Sequence, residues 1–302
     1  MDSGEPEMIS SLRVASVNLK IRTVRGDGDY FGHLHDLISQ AHEQGAEVVV
    51  LPELHGLELL SIERNLKEHQ APRYLVQYAE AWEKWLKRIS DTSGMWIFGG
   101  SHFKEVDGRI QNVAAIAVPG HDITFAAKNN LTRYEREIWD VQPGRGLIQF
   151  APKLGLTICY DSEFPEAVRA LAETGVEVLA VPSWTETVRG YQRVRWSCLA
   201  RALENQIFVI HSALVGGLGY EPIPDSYGAS AIIAPSVEPF AESAVLAETD
   251  LNEEGIAVAD LNFEALHEAR NAGEVSNWKD RADGDWTVRT VYPSRDVDET
   301  LN

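Results

Sequence analysis

LGLTICYDSEFPEAVRALAETG, residues 154–175, joins an apolar run to an amphipathic one. Its first seven residues predict a buried strand. The residues from Pro165 onward predict a helix, because proline is favoured in the first turn of a helix. Strand-like and helical runs alternate in the same way on both sides of this stretch, and that alternation is typical of an α/β protein.

The alternation continues over most of the chain. LRVASVNL, residues 12–19, alternates as a strand does, and residues 30–44 carry an apolar stripe at helical spacing. No linker, repeat or break in composition is visible inside residues 11–275. We therefore predict one domain, 11–275, between a flexible N-terminal tail, 1–10, and a C-terminal tail, 276–302.

The composition narrows the classes of partner. The 46 acidic and 27 basic side chains give a formal charge of −19, which repels phosphate backbones and anionic lipid. No apolar run approaches the ~18 residues that a membrane helix needs. The first ten residues are acidic and polar, unlike a signal peptide. These features predict a soluble, cytoplasmic protein that binds neither nucleic acid nor membranes.

Three ionisable residues stand at the carboxyl ends of three predicted strands. Glu53 ends VVVLPE, Lys128 ends ITFAAK, and Cys159 ends LTICY. Each has an ordinary structural explanation: a solvated acid, a lysine whose stem covers apolar surface, and a core thiol. Their shared placement favours function, since open α/β sheets bind ligands at the carboxyl ends of their strands.

An acid, an ammonium and a thiol form a complete set for nucleophilic acyl transfer. The thiolate is the nucleophile, a carboxylate can accept the thiol proton, and an ammonium can stabilise a developing oxyanion. No cofactor or metal is required. His33 and His35, two residues apart on a predicted helix, face different ways and make a poor metal pair.

Three segments resemble the signature motifs of the nitrilase superfamily of carbon–nitrogen hydrolases, in the family's order. They are VVVLPE, FAAKNNLTRYERE and GLTICYDSEFPEAVRAL, which end at Glu53, Glu137 and Leu171. The resemblance covers residues 12–272. It implies a four-layer α-β-β-α sandwich, usually built into dimers, and we expect a homodimer or a larger even assembly.

The same resemblance implies a role for each motif residue. Glu53 becomes the general base, Lys128 the oxyanion stabiliser and Cys159 the nucleophile, while Tyr160 contributes a backbone N–H to the oxyanion hole. Many members have a second carboxylate shortly after the lysine. That position falls on Glu135, with Glu137 as a competitor.

The residues after the cysteine resemble the amidase branches more than the true nitrilases. Several amidases that act on substrates with a free carboxylate carry Arg four residues after the cysteine, where this chain has Glu163. We expect Glu163 and Trp184 to line the substrate cavity, and a neutral or cationic small amide to be the substrate. If Glu163 instead points away from the cavity, Arg169 is its expected partner.

Three alternatives stay open. Two are enzymes: an N-carbamoyl amide hydrolase and a nitrilase. The third is a catalytically silent binding protein that has kept the fold. A further expectation concerns DWTVRTVYP, near the end of the sequence, which we predict to form part of a subunit contact because its apolar alternation has no place in the main pattern.

Overall fold

The computed structural model describes residues 10–151 and 153–281. Helices and strands alternate along the described chain, which confirms the predicted α/β class. The helices are α1 Asp27–Glu43, α2 Ala71–Val76, α3 Ala79–Ser93, α4 Arg133–Glu137, α5 Pro165–Glu173, α6 Val188–Asn205, α7 Phe263–Ala272 and α8 Asn277–Asp280. Short 3-10 helices span His55–Ser61, Glu68–Gln70 and Cys159–Glu163.

Twelve strands were found in the described ranges. They are β1 Ser11–Ile21, β2 Val48–Val50, β3 Trp96–Val106, β4 Arg109–Ala117, β5 Thr124–Ala127, β6 Ile148–Phe150, β7 Leu154–Leu156, β8 Val178–Trp184, β9 Phe208–Gly216, β10 Ala231–Ile233, β11 Val245–Glu248 and β12 Gly255–Asn262. One set pairs in the order β12-β1-β2-β3-β4-β5, and the other in the order β6-β7-β8-β9-β10-β11. The long β1 joins the two sets, because its final residues Leu19, Lys20 and Ile21 pair with the end of β9.

The two sheets pack face to face between two layers of helices. Alternate residues of β1 show this arrangement, since successive side chains of a strand point to opposite faces. Val14 belongs to the core that contains residues of both sheets together with α5 and α6. Ala15 and Val17 belong to the core beneath α1 and α3. The predicted four-layer α-β-β-α sandwich is confirmed.

The predicted domain limits at residues 11 and 275 remain predictions. Helix α8 follows the second limit, and the backbone N–H of Trp278 donates to Gln206 Oε1 at 3.0 Å. The guanidinium groups of Arg270 and Arg281 lie over the Trp278 indole. DWTVRTVYP lies outside the described residues, so the dimer contact stays a prediction. No helix in the described ranges is long and apolar enough to cross a membrane.

A partly buried ion cluster fixes the segment that follows Glu53. His33 of α1 contacts Glu58 of the first 3-10 helix through Nδ1 at 3.1 Å, and Glu254 through Nε2 at 2.7 Å. Burial opposes a charge on this imidazole, but the bonds to Glu254 and Glu58 outweigh it and raise the pKa of His33 to about 9. The cluster thereby holds α1, the 3-10 helix and the turn before β12 together.

We expect this cluster to make stability depend on pH in the alkaline range. Because the pKa of His33 is higher in the folded than in the unfolded protein, its stabilisation is complete below about 6.5 and is lost as pH rises through about 9. His33→Gln should remove roughly 2–3 kcal/mol of this pH-dependent stability, measured by urea unfolding between pH 6 and 9.5. The matched control is His35→Gln, on the exposed face of the same helix. If the free energy of unfolding of the His33 variant depends on pH as it does in the wild type, the raised pKa of His33 is contradicted.

Candidate active site

A cavity of about 200 Å³ opens where the ends of β2, β5, β7 and β8 meet the first half of α6. All seven residues expected at the site line it: Glu53, Lys128, Glu135, Cys159, Tyr160, Glu163 and Trp184. The predicted convergence of strand ends is therefore observed. The contacts of each residue indicate what it can do chemically.

Glu53 lies three residues beyond β2 and its side chain is only 1% exposed. Its Oε1 accepts from Lys128 Nζ at 2.8 Å, and its Oε2 accepts from the backbone N–H of Trp184 at 3.0 Å. Burial, reinforced by the charge of Glu135 and opposed by Lys128, raises the pKa of Glu53. A carboxylate with a raised pKa is suited to taking up and returning a proton.

Lys128 follows β5 directly, and its ammonium lies between two carboxylates. Nζ is 2.8 Å from Glu53 Oε1 and 2.8 Å from Glu135 Oε2. Burial opposes the positive charge, but Glu135 and Glu53 outweigh it and raise the pKa of Lys128. Lys128 is therefore a fixed cation, and two of its three N–H donors are used by these carboxylates.

Glu135, and not Glu137, is the second carboxylate of the site. Thr132 caps α4 and donates to Glu135 Oε2 from both its backbone N–H, at 2.8 Å, and its hydroxyl, at 3.0 Å. Burial opposes the charge, but Lys128 and these donors hold the pKa of Glu135 below its usual range. Glu137 instead pairs with Arg133 on the surface.

Cys159 begins a 3-10 helix with a backbone φ of +45°, a strained conformation for a residue with a side chain. The thiol donates to the carbonyl oxygen of Trp184 at 3.5 Å. Burial and the charge of Glu53 raise the pKa of the Cys159 thiol, while Lys128 acts in the opposite direction. The resting thiol is therefore protonated and has a carboxylate beside it.

The turn that carries Cys159 is tied to the loop that carries Lys128. Asp161, two residues after the thiol, accepts from the backbone N–H groups of Asn129 and Asn130 at 3.2 and 2.6 Å. The Tyr160 N–H lies in the first turn of the 3-10 helix, where backbone donors have no intrahelical acceptor. This geometry favours the expected use of Tyr160 as a donor to a ligand in the cavity.

Asn112 of β4 was not anticipated as a site residue. Its Nδ2 donates to Glu53 Oε1 at 2.9 Å and to Glu135 Oε1 at 3.0 Å, and the residue is fully buried. The sequence offers a weak signal for it, an asparagine next to an apolar strand run, NVAAIAV. That signal alone does not separate a site residue from the start of a strand.

Trp184 contributes its backbone as well as a wall of the cavity. Its N–H donates to Glu53 and its carbonyl oxygen accepts from Cys159, so one residue contacts both. The indole stacks on Trp139 at a centroid distance of 5.6 Å and donates to Ser226 Oγ at 2.9 Å. The ring is therefore held rigidly against the cavity.

Glu163 lines the cavity, and its partner is Arg193. Arg193 Nε lies 3.4 Å from Glu163 Oε1, with side-chain exposures of 55% and 18%. The alternative pairing with Arg169 is wrong, because the Arg169 guanidinium donates to the carbonyl oxygen of Glu204 at 3.1 Å. The physical reason is that α6 brings Arg193 to the mouth of the cavity, so Glu163 is partly neutralised there.

A metal site was not expected. Within residues 10–151 and 153–281, no group of three or more His, Cys, Asp or Glu side chains is arranged to hold a metal ion. His33 binds two carboxylates. Independence from metals and cofactors remains a prediction about activity.

Comparison with known proteins gives the family. The sequence pattern of the carbon-nitrogen hydrolase family matches residues 13–271. A probable hydrolase, YhcX, of Bacillus subtilis (strain 168) is 30% identical over 274 residues, which cover 89% of this chain and 53% of that protein. The chain thus spans about half the length of this relative.

Two further proteins are similar over nearly their whole length. The omega-amidase NIT2 of Danio rerio is 24% identical over 94% of this chain and 99% of its own. The crystal structure of Saccharomyces cerevisiae Nit3, a member of branch 10 of the nitrilase superfamily, superimposes with a TM-score of 0.72. The two chains are 23% identical, and the match covers 87% of this chain and 94% of Nit3. With its matching sequence pattern and fold, the chain belongs to the carbon-nitrogen hydrolase family of the nitrilase superfamily.

Proposed function

We propose that this protein hydrolyses a carbon–nitrogen bond of a small amide through a thioester on Cys159. The observation that carries the proposal is the meeting of Glu53, Lys128 and Cys159 in one cavity. Each arrives from a different strand, and each has buried partners that fix its side chain. The similarity to a relative that is named an omega-amidase, NIT2 of Danio rerio, supports the same reaction class.

The first step in this mechanism is a proton transfer. The thiol of Cys159 is protonated at rest, because burial and Glu53 raise its pKa. Glu53, whose own pKa is raised by burial, accepts that proton as sulfur attacks the carbonyl carbon of the amide. The carbon–sulfur bond forms while the electrons of the carbonyl π bond move to oxygen.

The developing oxyanion then needs fixed donors. Lys128 is a permanent cation with one N–H not used by the two carboxylates, and the Tyr160 backbone N–H lies beside the nucleophile. Removing one donor of this kind typically costs ~10²–10³ in rate. Protonated Glu53 gives its proton to the departing nitrogen, and ammonia or an amine leaves.

The second half regenerates the thiol. Glu53 takes a proton from water, and the resulting hydroxide attacks the carbonyl carbon of the thioester. The carbon–sulfur bond then breaks, the acid product leaves, and sulfur takes its proton back from Glu53. Glu135 stays ionised throughout, because its donors hold its pKa low. It keeps Lys128 charged and in place, and the sequence of steps needs no metal.

A neutral or cationic amide fits the cavity best. Carboxylates at its wall outnumber cations: Glu53, Glu135, Glu163 and Glu186 against Lys128 and Arg193. Arg193 offsets Glu163 only in part, since the pair is half exposed and 3.4 Å apart. Acyl groups with a nearby carboxylate are therefore disfavoured. An N-carbamoyl amine and a nitrile are the alternative substrates, and a silent binding protein is the alternative to an enzyme.

We predict that iodoacetamide labels Cys159 before Cys198. Cys159 lines the cavity beside a proton acceptor, whereas Cys198 is fully buried in the core and burial raises its pKa to about 12. Peptide mass spectrometry over a time course at pH 7.5 measures both sites. Cys198→Ala should label at the wild-type rate, and faster labelling of Cys198 in the native protein would argue against an activated thiol at 159.

We predict that Cys159→Ala lowers turnover by more than about 10⁴-fold while the thermal unfolding midpoint stays close to that of the wild type. The assay is ammonia release across a panel of small amides, carbamoyl amines and nitriles, which also identifies the substrate class. Cys198→Ala is the matched control and should retain turnover. Wild-type protein that releases nothing from any compound would favour the silent binding protein, and an active Cys159→Ala variant would end the mechanism.

We predict that substitutions of Glu163 and of Arg193, the ion pair at the mouth of the cavity, change substrate specificity in opposite directions. Glu163→Gln leaves Arg193 unpaired and should raise kcat/KM for carboxylate-bearing amides, relative to amine-bearing ones, by several-fold to about tenfold. Arg193→Gln should shift the ratio the other way, and Glu163→Arg should exceed the effect of Glu163→Gln. Arg133→Gln, whose ion pair with Glu137 lies on the surface, is the control. An unchanged ratio in the folded variants would remove both residues from substrate selection.

A further inference from the structure

Asn112 closes a ring of hydrogen bonds around the two carboxylates of the site. Its Nδ2 bridges Glu53 Oε1 and Glu135 Oε1, at 2.9 and 3.0 Å. Lys128 Nζ bridges the same two carboxylates, at 2.8 Å to each. Two donors and two acceptors thus alternate around the ring, one donor being charged and the other neutral.

A neutral second donor can hold the two carboxylates together without adding another charge to the site. Two buried carboxylates repel each other, and the charge of Glu135 is one reason that the pKa of Glu53 is raised. A second cation would relieve the repulsion but would make both carboxylates weaker bases. The two N–H groups of one carboxamide diverge, so that each can point at a different carboxylate without adding charge.

The backbone of Asn112 is part of the same arrangement. Its carbonyl oxygen accepts from the Lys128 N–H at 2.9 Å, at the end of the β4–β5 pairing. One residue therefore contacts both carboxylates through its side chain and fixes the chain at the lysine through its backbone. Glu53, Lys128 and Glu135 come from three separate segments, and Asn112 is bonded to all three.

The opposite end of the side chain argues against a purely stabilising role. Asn112 Oδ1 is buried and has no hydrogen-bond partner within residues 10–151 and 153–281. An unpaired buried acceptor is unfavourable to folding. The position of the carboxamide is thus explained by the two hydrogen bonds that Nδ2 donates. Its orientation is set by the same bonds, because a flipped carboxamide would place Oδ1 against two carboxylates.

We propose that Asn112 is a positioning residue, whose amide nitrogen holds Glu53 and Glu135 so that Lys128 can bridge both and still offer one N–H to the substrate. The inference rests on the proposed function, since it assigns Glu53 as base and Lys128 as oxyanion donor. Asn112 itself does not line the cavity within the described part of the chain.

Loss of this nitrogen has a consequence for pH dependence. A donor to a carboxylate favours the ionised form, and the Asn112 bond is one cause of the low pKa of Glu135. Asn112 also donates to Glu53 Oε1, so removing this donor should raise the pKa of Glu53 as well. The base is then lost at a higher pH when the solution is acidified. Lys128 is the titratable donor within the ring, and the titratable groups that face it from outside are Cys159 and Asp161.

The test compares Asn112→Leu and Asn112→Ser with the wild type. The first removes the donor at similar volume, and the second can donate to one carboxylate only. We expect the acidic midpoint of Cys159 labelling by iodoacetamide to rise by about one pH unit in Asn112→Leu and by less in Asn112→Ser. kcat/KM at pH 7 should fall about ten- to a hundredfold for the amide that the wild type turns over best.

Asn18→Leu is the matched control, because Asn18 is also fully buried and its side chain bonds to Glu253 and Ser230. It should lose stability without moving the midpoint. The serine variant gives the same readout if the leucine variant does not fold. A folded Asn112 variant with an unmoved midpoint would overturn the proposal. The labelling needs no substrate, so failure of the wild type to release ammonia would instead reject the proposed function.

Discussion

The ammonium of Lys128, held between two buried carboxylates, is the constraint on which the rest of the site depends. Moving ionised groups out of water is unfavourable by several kcal/mol each, and that loss is recovered only where good geometry and further hydrogen bonds surround them. Glu53, Lys128 and Glu135 are 1–4% exposed. Asn112, Thr132 and the Trp184 backbone supply the remaining donors.

This arrangement also gives two chemically identical side chains, Glu53 and Glu135, pKa values that are shifted in opposite directions. Glu135 accepts from several donors, and its pKa is held low. Burial and the charge of Glu135 raise the pKa of Glu53, although Lys128 opposes them. Differences of this kind are how a protein assigns a permanent charge to one carboxylate and proton transfer to another. The difference follows from local environment: Lys128, Asn112 and Thr132 all donate to Glu135.

The strand ends that carry Glu53, Lys128 and Cys159 could be predicted because each apolar run stops at a charged or polar residue. The four layers followed from the family resemblance, whereas the joining of both sheets by β1 depends on long-range pairing that no local pattern encodes. Asn112 was missed because its apolar run appeared to begin there, while β4 begins at Arg109. The pairing of Glu163 with Arg193 joins two separate segments, and sequence spacing alone does not select it over Arg169.

The double contact of residue 184 separates the proposed chemistry, which uses its backbone, from the shape of the cavity, which depends on its side chain. Its peptide N–H and carbonyl oxygen contact Glu53, the proposed base, and Cys159, the proposed nucleophile. These two backbone groups are common to every amino acid except proline, which lacks the N–H. Its side chain is a wall of the cavity. A change of residue at 184 therefore reshapes the pocket and leaves the backbone contacts to Glu53 and Cys159 available. If the proposed function holds, descendants of such a protein can acquire new substrates by altering this wall, while the backbone contacts to the proposed base and nucleophile stay in place.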